Sequence, residues 1–308
     1  MSAGLLLVAT WLCAAASAWA GPGPLRRARW PASAPRAALV VWLSLWLSVF
    51  IATLGVILTI GIRPWRMALV PGLRRALSCL VGCRWGAFSP LQLGLVLLAV
   101  GLGTHVLILV VNEFRHAALD RRRHRRILRL VAQPIPLGGG TLVLDHPSPI
   151  AYGVPGIRPT VVLSTGALSA LEEPQLRAVL AHERAHLRAR HDLAVLPFAA
   201  LASALPHLPL ARDGLASTRA LVEMLADDAA VRHESATALA AAIIRVARGV
   251  PPAEALSDGA GNVTRRVQRL RAKGQAARTW ITPLAYGAAV IVLCVPCVLL
   301  LAASAQIG

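Results

Sequence analysis

The sequence predicts a helical integral membrane protein that carries a small α+β domain between its membrane segments. Two observations lead there. The chain is 56% hydrophobic and only 15% charged over 308 residues, too apolar for one soluble globule of that size. All 14 acidic residues lie between Glu113 and Asp258, whereas the long apolar runs precede Asn112 or follow Trp280. These limits give an N-terminal membrane region over 1–112, a soluble domain over 113–280 and a C-terminal transmembrane helix within 281–308.

Three runs reach the roughly twenty residues that a hydrocarbon core requires: 38–60, 91–111 and 281–303. Residues 2–20 read either as a fourth helix or as a signal peptide, since Ala18-Trp19-Ala20 fits a small-residue cleavage site. Charge decides between them. With a retained first helix that starts outside, the flanks 21–37, 113–131 and 264–279 are internal and carry seventeen Arg and Lys, against five in the external loop 61–90. Cleavage would reverse the later segments. Four helices in a multi-pass cell-membrane protein follow, with the soluble domain on the cytoplasmic side. Trp30, Trp65, Trp85 and Trp280 fall near run ends, as interfacial anchors do. His105, inside the second long run, is expected to bond a neighbouring helix as a neutral imidazole. A short interfacial helix is expected around Leu73 to Cys83.

The net charge of +18 does not indicate nucleic-acid binding. All the basic residues but one are Arg, and no aromatic interleaving accompanies them. Blocks such as Arg121-Arg122-Arg123-His124-Arg125-Arg126 adjoin apolar runs, where anionic membrane lipids are the expected partner. Cys294-Val-Pro-Cys297 has CxxC spacing but lies inside an apolar run with no second pair, so it reads as ordinary helix.

From Gly138 the pattern changes to short β-prone runs, Thr141 to Asp145, Pro149 to Gly153 and Thr160 to Ser164, which suggest a small antiparallel sheet. Leu176, Val179, Leu180 and Leu187 then fall at helical spacing behind Pro174, so a helix should run to about Arg190. On it sits His182-Glu183-Arg184-Ala185-His186. Histidines four apart project from one face and can reach one metal ion, and Glu183 beside them can take a proton from an attacking water. A third ligand is supplied best by Glu223, on a second helical stretch. Asp227, one turn further on the same face, can hold a ligand histidine by its ring N–H.

The order Val161 to Ser169, Ala181 to Leu187 and Glu223 to Asp227 resembles the gluzincin membrane peptidases of the BlaR/MecR antirepressor type, relatives of the HtpX and Ste-type proteases. The resemblance covers about residues 140–235 and the helix layout. It implies a zincin domain with one Zn2+ per chain, held by His182, His186 and Glu223, with Glu183 as general base and Asp227 behind the ligands. It also implies a membrane-bound endopeptidase for a cytoplasmic or membrane-proximal protein, such as a transcriptional repressor, with substrate backbone paired to an edge strand at Thr160 to Ser164. Two other readings stay open: an HtpX-like quality-control protease, and a proteolytically inert zinc-containing sensor or scaffold. No penicillin-sensor domain follows the last helix, which argues against β-lactam sensing. Tyr152, Arg232 and His233 are candidates for stabilising the oxyanion.

One topological condition follows. If Leu193 to Ala211 crossed the membrane once, Glu223 and His182 would lie on opposite sides. That segment must therefore be a core helix, an interfacial helix or a re-entrant segment, and packing in the soluble core is the expectation.

Overall fold

The computed structural model describes residues 2–82, 84–135, 140–248, 259–272 and 280–307. Its contacts divide the chain into two compact units. The first comprises Met1–Val111, Phe198–Gly214 and Thr279–Gly308, and the second comprises Asn112–Pro197 and Leu215–Arg278.

The first unit is helical. It contains α1 (Ala3–Trp19), α2 (Pro22–Arg27), α3 (Pro35–Ile62), α4 (Leu69–Val81) and the start of α5 (Pro90–Val131), with the last helix of the chain, Ile281–Ala305, returning to it. Four helical segments are long and apolar enough to cross a membrane: Ala3–Arg27, Pro35–Trp65, Pro90–Val131 and Ile281–Ala305. Leu6 and Leu7 of α1, Val56 of α3 and Leu300 of the last helix bury one another, so three of the four pack side by side. Helix α4 supplies the expected short amphipathic helix, starting earlier than Leu73; Cys83 lies outside the described residues. His105 differs from expectation. It is exposed on α5 and makes no hydrogen bond among the described residues.

The second unit receives α5 as it leaves the apolar span. The helix does not stop at the charged boundary, because Ala117, Ala118, Leu119 and the Arg block that follows are all good helix formers. Four short strands follow: β1 (Ala132–Pro134), β2 (Thr141–Leu144), β3 (Ala151–Val154) and β4 (Thr160–Ser164). Their order is β1-β2-β4-β3, with β2 and β4 parallel and both outer pairings antiparallel. The sheet is thus mixed, not antiparallel, and β4 lies in its interior. The reason is legible in β4 itself. Val161, Val162, Leu163 and Ser164 are all buried, so both faces of the strand are covered, as suits a strand paired on both sides, one neighbour being parallel.

Helices cover both faces. Val161 and Leu163 pack with Leu180 of α7 (Glu173–Ala189), and Val154 and Val162 pack with Leu128 of α5. Helix α6 (Thr165–Ala170) links β4 to α7 and is capped by the Ser164 hydroxyl, which accepts from the Ala167 N–H at 2.9 Å. Helix α7 starts on a reciprocal cap between Glu172 and Gln175, with Pro174 in its first turn. After it come α8 (His191–Ala204), α9 (Pro209–Ala230), α10 (Ala236–Arg248) and α11 (Gly259–Arg271); the last helix, Ile281–Ala305, is α12. Ala178 of α7, Ala230 of α9, Leu239 of α10 and Leu270 of α11 share one core.

The segment 193–211 meets the topological condition by turning back. Helix α8 has 14 residues, about 21 Å at 1.5 Å per residue, short of a core of about 30 Å. It ends at Ala204, and α9 starts after a four-residue turn. Its outer half belongs to the first unit and does not pack in the core of the second, contrary to expectation. Phe198, fully buried, meets Trp42 of α3 edge to face at 6.2 Å. Gly214 makes room for that ring, since a Cβ there would lie 2.5 Å from it.

Candidate active site

The site is built by α7, α9 and α11. Helix α7 places His182 and His186 one turn apart, with ring centroids 4.8 Å apart and their Nε2 atoms 3.2 Å apart. Glu223 comes across from α9: its Oε2 lies 3.4 Å from His182 Nε2 and its Oε1 lies 3.3 Å from His186 Nε2. The three side chains offer ligand atoms all within 4.8 Å of one another. Two imidazole nitrogens and one carboxylate oxygen are a donor set that zinc accepts, and three protein ligands leave a fourth position open for chemistry.

Behind these atoms the structure adds groups of two kinds. Asp227, on the same face of α9 as Glu223, is fully buried with Oδ1 3.0 Å from His182 Nδ1. This fixes the ring so that Nε2 faces the cluster. Arg266 of α11 forks onto Asp227 with bonds of 2.7 and 2.8 Å and reaches Glu223 Oε2 at 2.8 Å. It compensates two carboxylates that would otherwise be buried side by side. His191, at the start of α8, sets its Nδ1 3.2 Å from Nδ1 of His186 and stands edge-on to that ring. The chain brings it there by a left-handed residue, Arg190 at φ 48°, which ends α7 and turns straight into α8.

Glu183, next to His182 on α7, turns toward the sheet, where the backbone N–H of Gly153 in β3 faces its carboxylate and draws its pKa down against the effect of burial. Helix and strand approach closely there. A Cβ on Gly153 would sit 2.9 Å from Leu187, so glycine is what allows this contact. Strand β3 is an outer strand of the sheet, and it is this strand, not β4, whose edge adjoins Glu183.

Electrostatics separates the groups. Burial pushes the Glu183 carboxyl up to about 7, and the Glu223 charge adds to this against the pull of His182. Burial also holds His186 down at about 4, keeping it a neutral donor. For His182, burial opposes the charged form, but the bonds to Asp227 and Glu223 outweigh it and carry the ring to about 9. Glu223 is held at about 2, because the His182 bond and the Arg266 charge overcome its burial. Asp227 lies below the usual carboxylate range for the same kind of reason, with Arg266 as its strongest partner. The Glu223 carboxylate is therefore ionised and the adjacent Glu183 is poised near neutrality, a division suited to one metal donor and one proton carrier.

The sequence profile of peptidase family M48 matches residues 117–279. The match spans more than half of the chain. The chain belongs to peptidase family M48. Family M48 comprises zinc-dependent metallopeptidases, and the helix with HExxH, the helix with Glu223 and the Arg266 helix all lie inside the matched span. No match to the chain is found among curated proteins or among solved structures.

All five residues singled out from the sequence, His182, Glu183, His186, Glu223 and Asp227, meet in this one site. The oxyanion candidates do not join them. The Tyr152 hydroxyl is taken by His124 Nε2 at 2.8 Å, and Arg232 and His233 are exposed after α9. Arg266, His191 and Gly153 carry no signal in the sequence. Arg266 is one Arg among many, His191 is cut off from the α7 periodicity by Arg190, and Gly153 has no side chain to mark it.

Proposed function

We propose that the chain is a membrane-bound zinc endopeptidase in which His182, His186 and Glu223 hold the metal and Glu183 is the general base. The observation that carries this is the placement of Glu183 between the three donors and the free edge of β3. The donors fix where a metal would sit, and the strand edge offers backbone groups to an extended peptide. A zinc ion held there would polarise the scissile carbonyl and acidify the attacking water. Glu183 takes the proton of that water and returns it to the leaving amine, which a carboxyl raised by burial does readily. Asp227 and His191 orient the two ligand rings from behind, and Arg266 balances the buried carboxylates.

The reading extends to the substrate's location. The charge asymmetry about the apolar segments favours a cytoplasmic site, so a cytoplasmic or membrane-proximal protein is the substrate. Regulatory cleavage, with a repressor as one such target, fits better than general membrane-protein turnover. The support is that α8 is too short to add a membrane crossing between HExxH and Glu223. The test compares the proteomes of cells carrying wild-type protein or Glu183→Gln. One or a few soluble proteins losing intact mass only with the wild type is the expected result. Identical proteomes, with purified wild-type protein inert toward unfolded casein, would sink the peptidase reading.

A further inference from the structure

Beside the free edge of β3 lies a groove of about 560 Å³, entirely within the second unit, between residues 152–155 of the strand and the last turns of α5. We infer that this groove selects the substrate: it takes acidic side chains placed at every second position of an extended segment. The inference rests on the peptidase reading for the word substrate, and on the sheet geometry for the rest.

Register comes first. The pairs Tyr152 with Val162 and Val154 with Thr160 turn the backbone groups of those two β3 residues toward β4, which leaves Gly153 facing outward. Its outward N–H and C=O are the groups an added strand would meet, with the Glu183 carboxylate close by. A peptide added along this edge places one residue opposite Gly153, with its side chain on the α7 face, as directly paired side chains share a face. The residues on either side of it project to the other face. There Tyr152 and Val154 pack with Leu128 of α5, and the groove opens.

Chemistry then decides what fits. Ile127, Tyr152 and Val154 give the groove an apolar wall long enough for an aliphatic stem, while Arg121 and Arg123 bring positive charge to it. Among the described residues, Asp120 is the one carboxylate in the lining. Arg121 is held in place by Asp192 at 2.5 Å, and Arg125 is bound at the end of the groove to the carbonyls of Val154 and Pro155. Arg123 is exposed. A glutamate side chain matches this combination, with methylenes for the wall and a carboxylate for the guanidinium. A lysine or arginine would meet like charge.

The test uses full-length Glu183→Gln protein in detergent, so that no peptide is consumed, and fluorescein-labelled decapeptides read by anisotropy. One probe alternates Val and Glu; the second has the same composition with its glutamates contiguous; the third alternates Val and Arg. The alternating Val and Glu probe should bind about five-fold tighter than the contiguous one, the scale of one partly exposed charge pair, and the Arg probe weaker than both. Arg123→Glu should erase the difference between the two acidic probes, whereas Arg115→Glu, on an exposed part of α5 outside the groove, should shift both equally. Equal affinity for the two acidic probes, or an equal loss for both with Arg123→Glu, means attraction by the net charge alone and overturns the inference. Probe discrimination without any proteolysis by the wild type would leave the groove assignment standing and overturn the peptidase reading instead.

Discussion

The Nδ1 atoms of His186 and His191 lie 3.2 Å apart, with the two rings crossing at 89°. If Nε2 of His186 gives its lone pair to a metal, its Nδ1 carries the proton and donates to His191. His191→Ala removes that acceptor. Zinc affinity should fall by about ten- to a hundred-fold in a competition titration against a chelator. His191→Gln, whose amide oxygen can accept, should recover part of the loss. An unchanged affinity in the Ala variant would show that His191 merely fills space.

Glu183→Gln keeps the size of the side chain and an acceptor oxygen toward Gly153 but removes the base. Peptide hydrolysis should drop by about a hundred-fold or more. Bound zinc, measured by atomic emission, should stay at one ion per chain. Loss of zinc together with activity would reassign Glu183 from base to ligand.

Arg266 and Asp227 have side chains only 11% and 1% exposed, so their pair is effectively internal. Arg266→Ala removes the strongest partner of the buried, ionised Asp227 and leaves it His182 alone, which should cost about 3–5 kcal/mol. The expected readout is a large fall in thermal midpoint and loss of metal. Arg266→Lys keeps the charge without the fork and should fold closer to wild type while holding His182 less firmly, seen as weaker zinc binding at near-normal stability. A midpoint for Arg266→Ala equal to wild type would show that the pair is dispensable.

The Glu183 carboxyl, raised from 4.5 to about 7 by burial, must be ionised to act as base. Activity is therefore present above its working pKa and is lost as pH falls through it, tenfold per unit on the acid side. A dication beside it draws the value down, so the acid limb should fall between 4.5 and about 7. A pH profile of kcat/KM that stays flat across that window would remove Glu183 as the titrating base.

Gly153→Val places a branched side chain where Leu187 lies within 3.0 Å of even a Cβ. Strand β3 should be pushed off α7, at about 1–3 kcal/mol. Turnover should fall more than stability alone explains, because the strand edge moves away from Glu183. Urea midpoints and initial rates on the same preparation separate the two effects. A normal rate in a destabilised variant would argue that peptide does not lie on this edge.

Local patterns are enough to make the candidate donors legible. HExxH places two rings on one helix face by periodicity alone, and Glu223 with Asp227 repeats the same one-turn spacing on a second helix. Membrane segments are legible because hydropathy is a property of a contiguous run. Sheet topology is not. Three short strands with Pro and Gly between them are compatible with several orders, and only the double-sided burial of Val161, Val162 and Leu163 indicates that β4 is interior. For that reason β4 offers no free edge, and the outer strand that adjoins Glu183 is its neighbour, β3.

The sequence by itself determined the long apolar segments, the three candidate metal donors and the acid residue beside them, since each depends on spacing along one helix or on composition along one run. Only the tertiary structure decided which strand edge meets Glu183, that Arg266 backs Asp227 and His191 backs His186, and that Phe198 packs on Trp42 and not in the core of the second unit. Those pairings join residues far apart in the chain. Arg266 lies 84 positions from His182, and what brings them together is burial of the shared core of α7, α9, α10 and α11, which no local periodicity records.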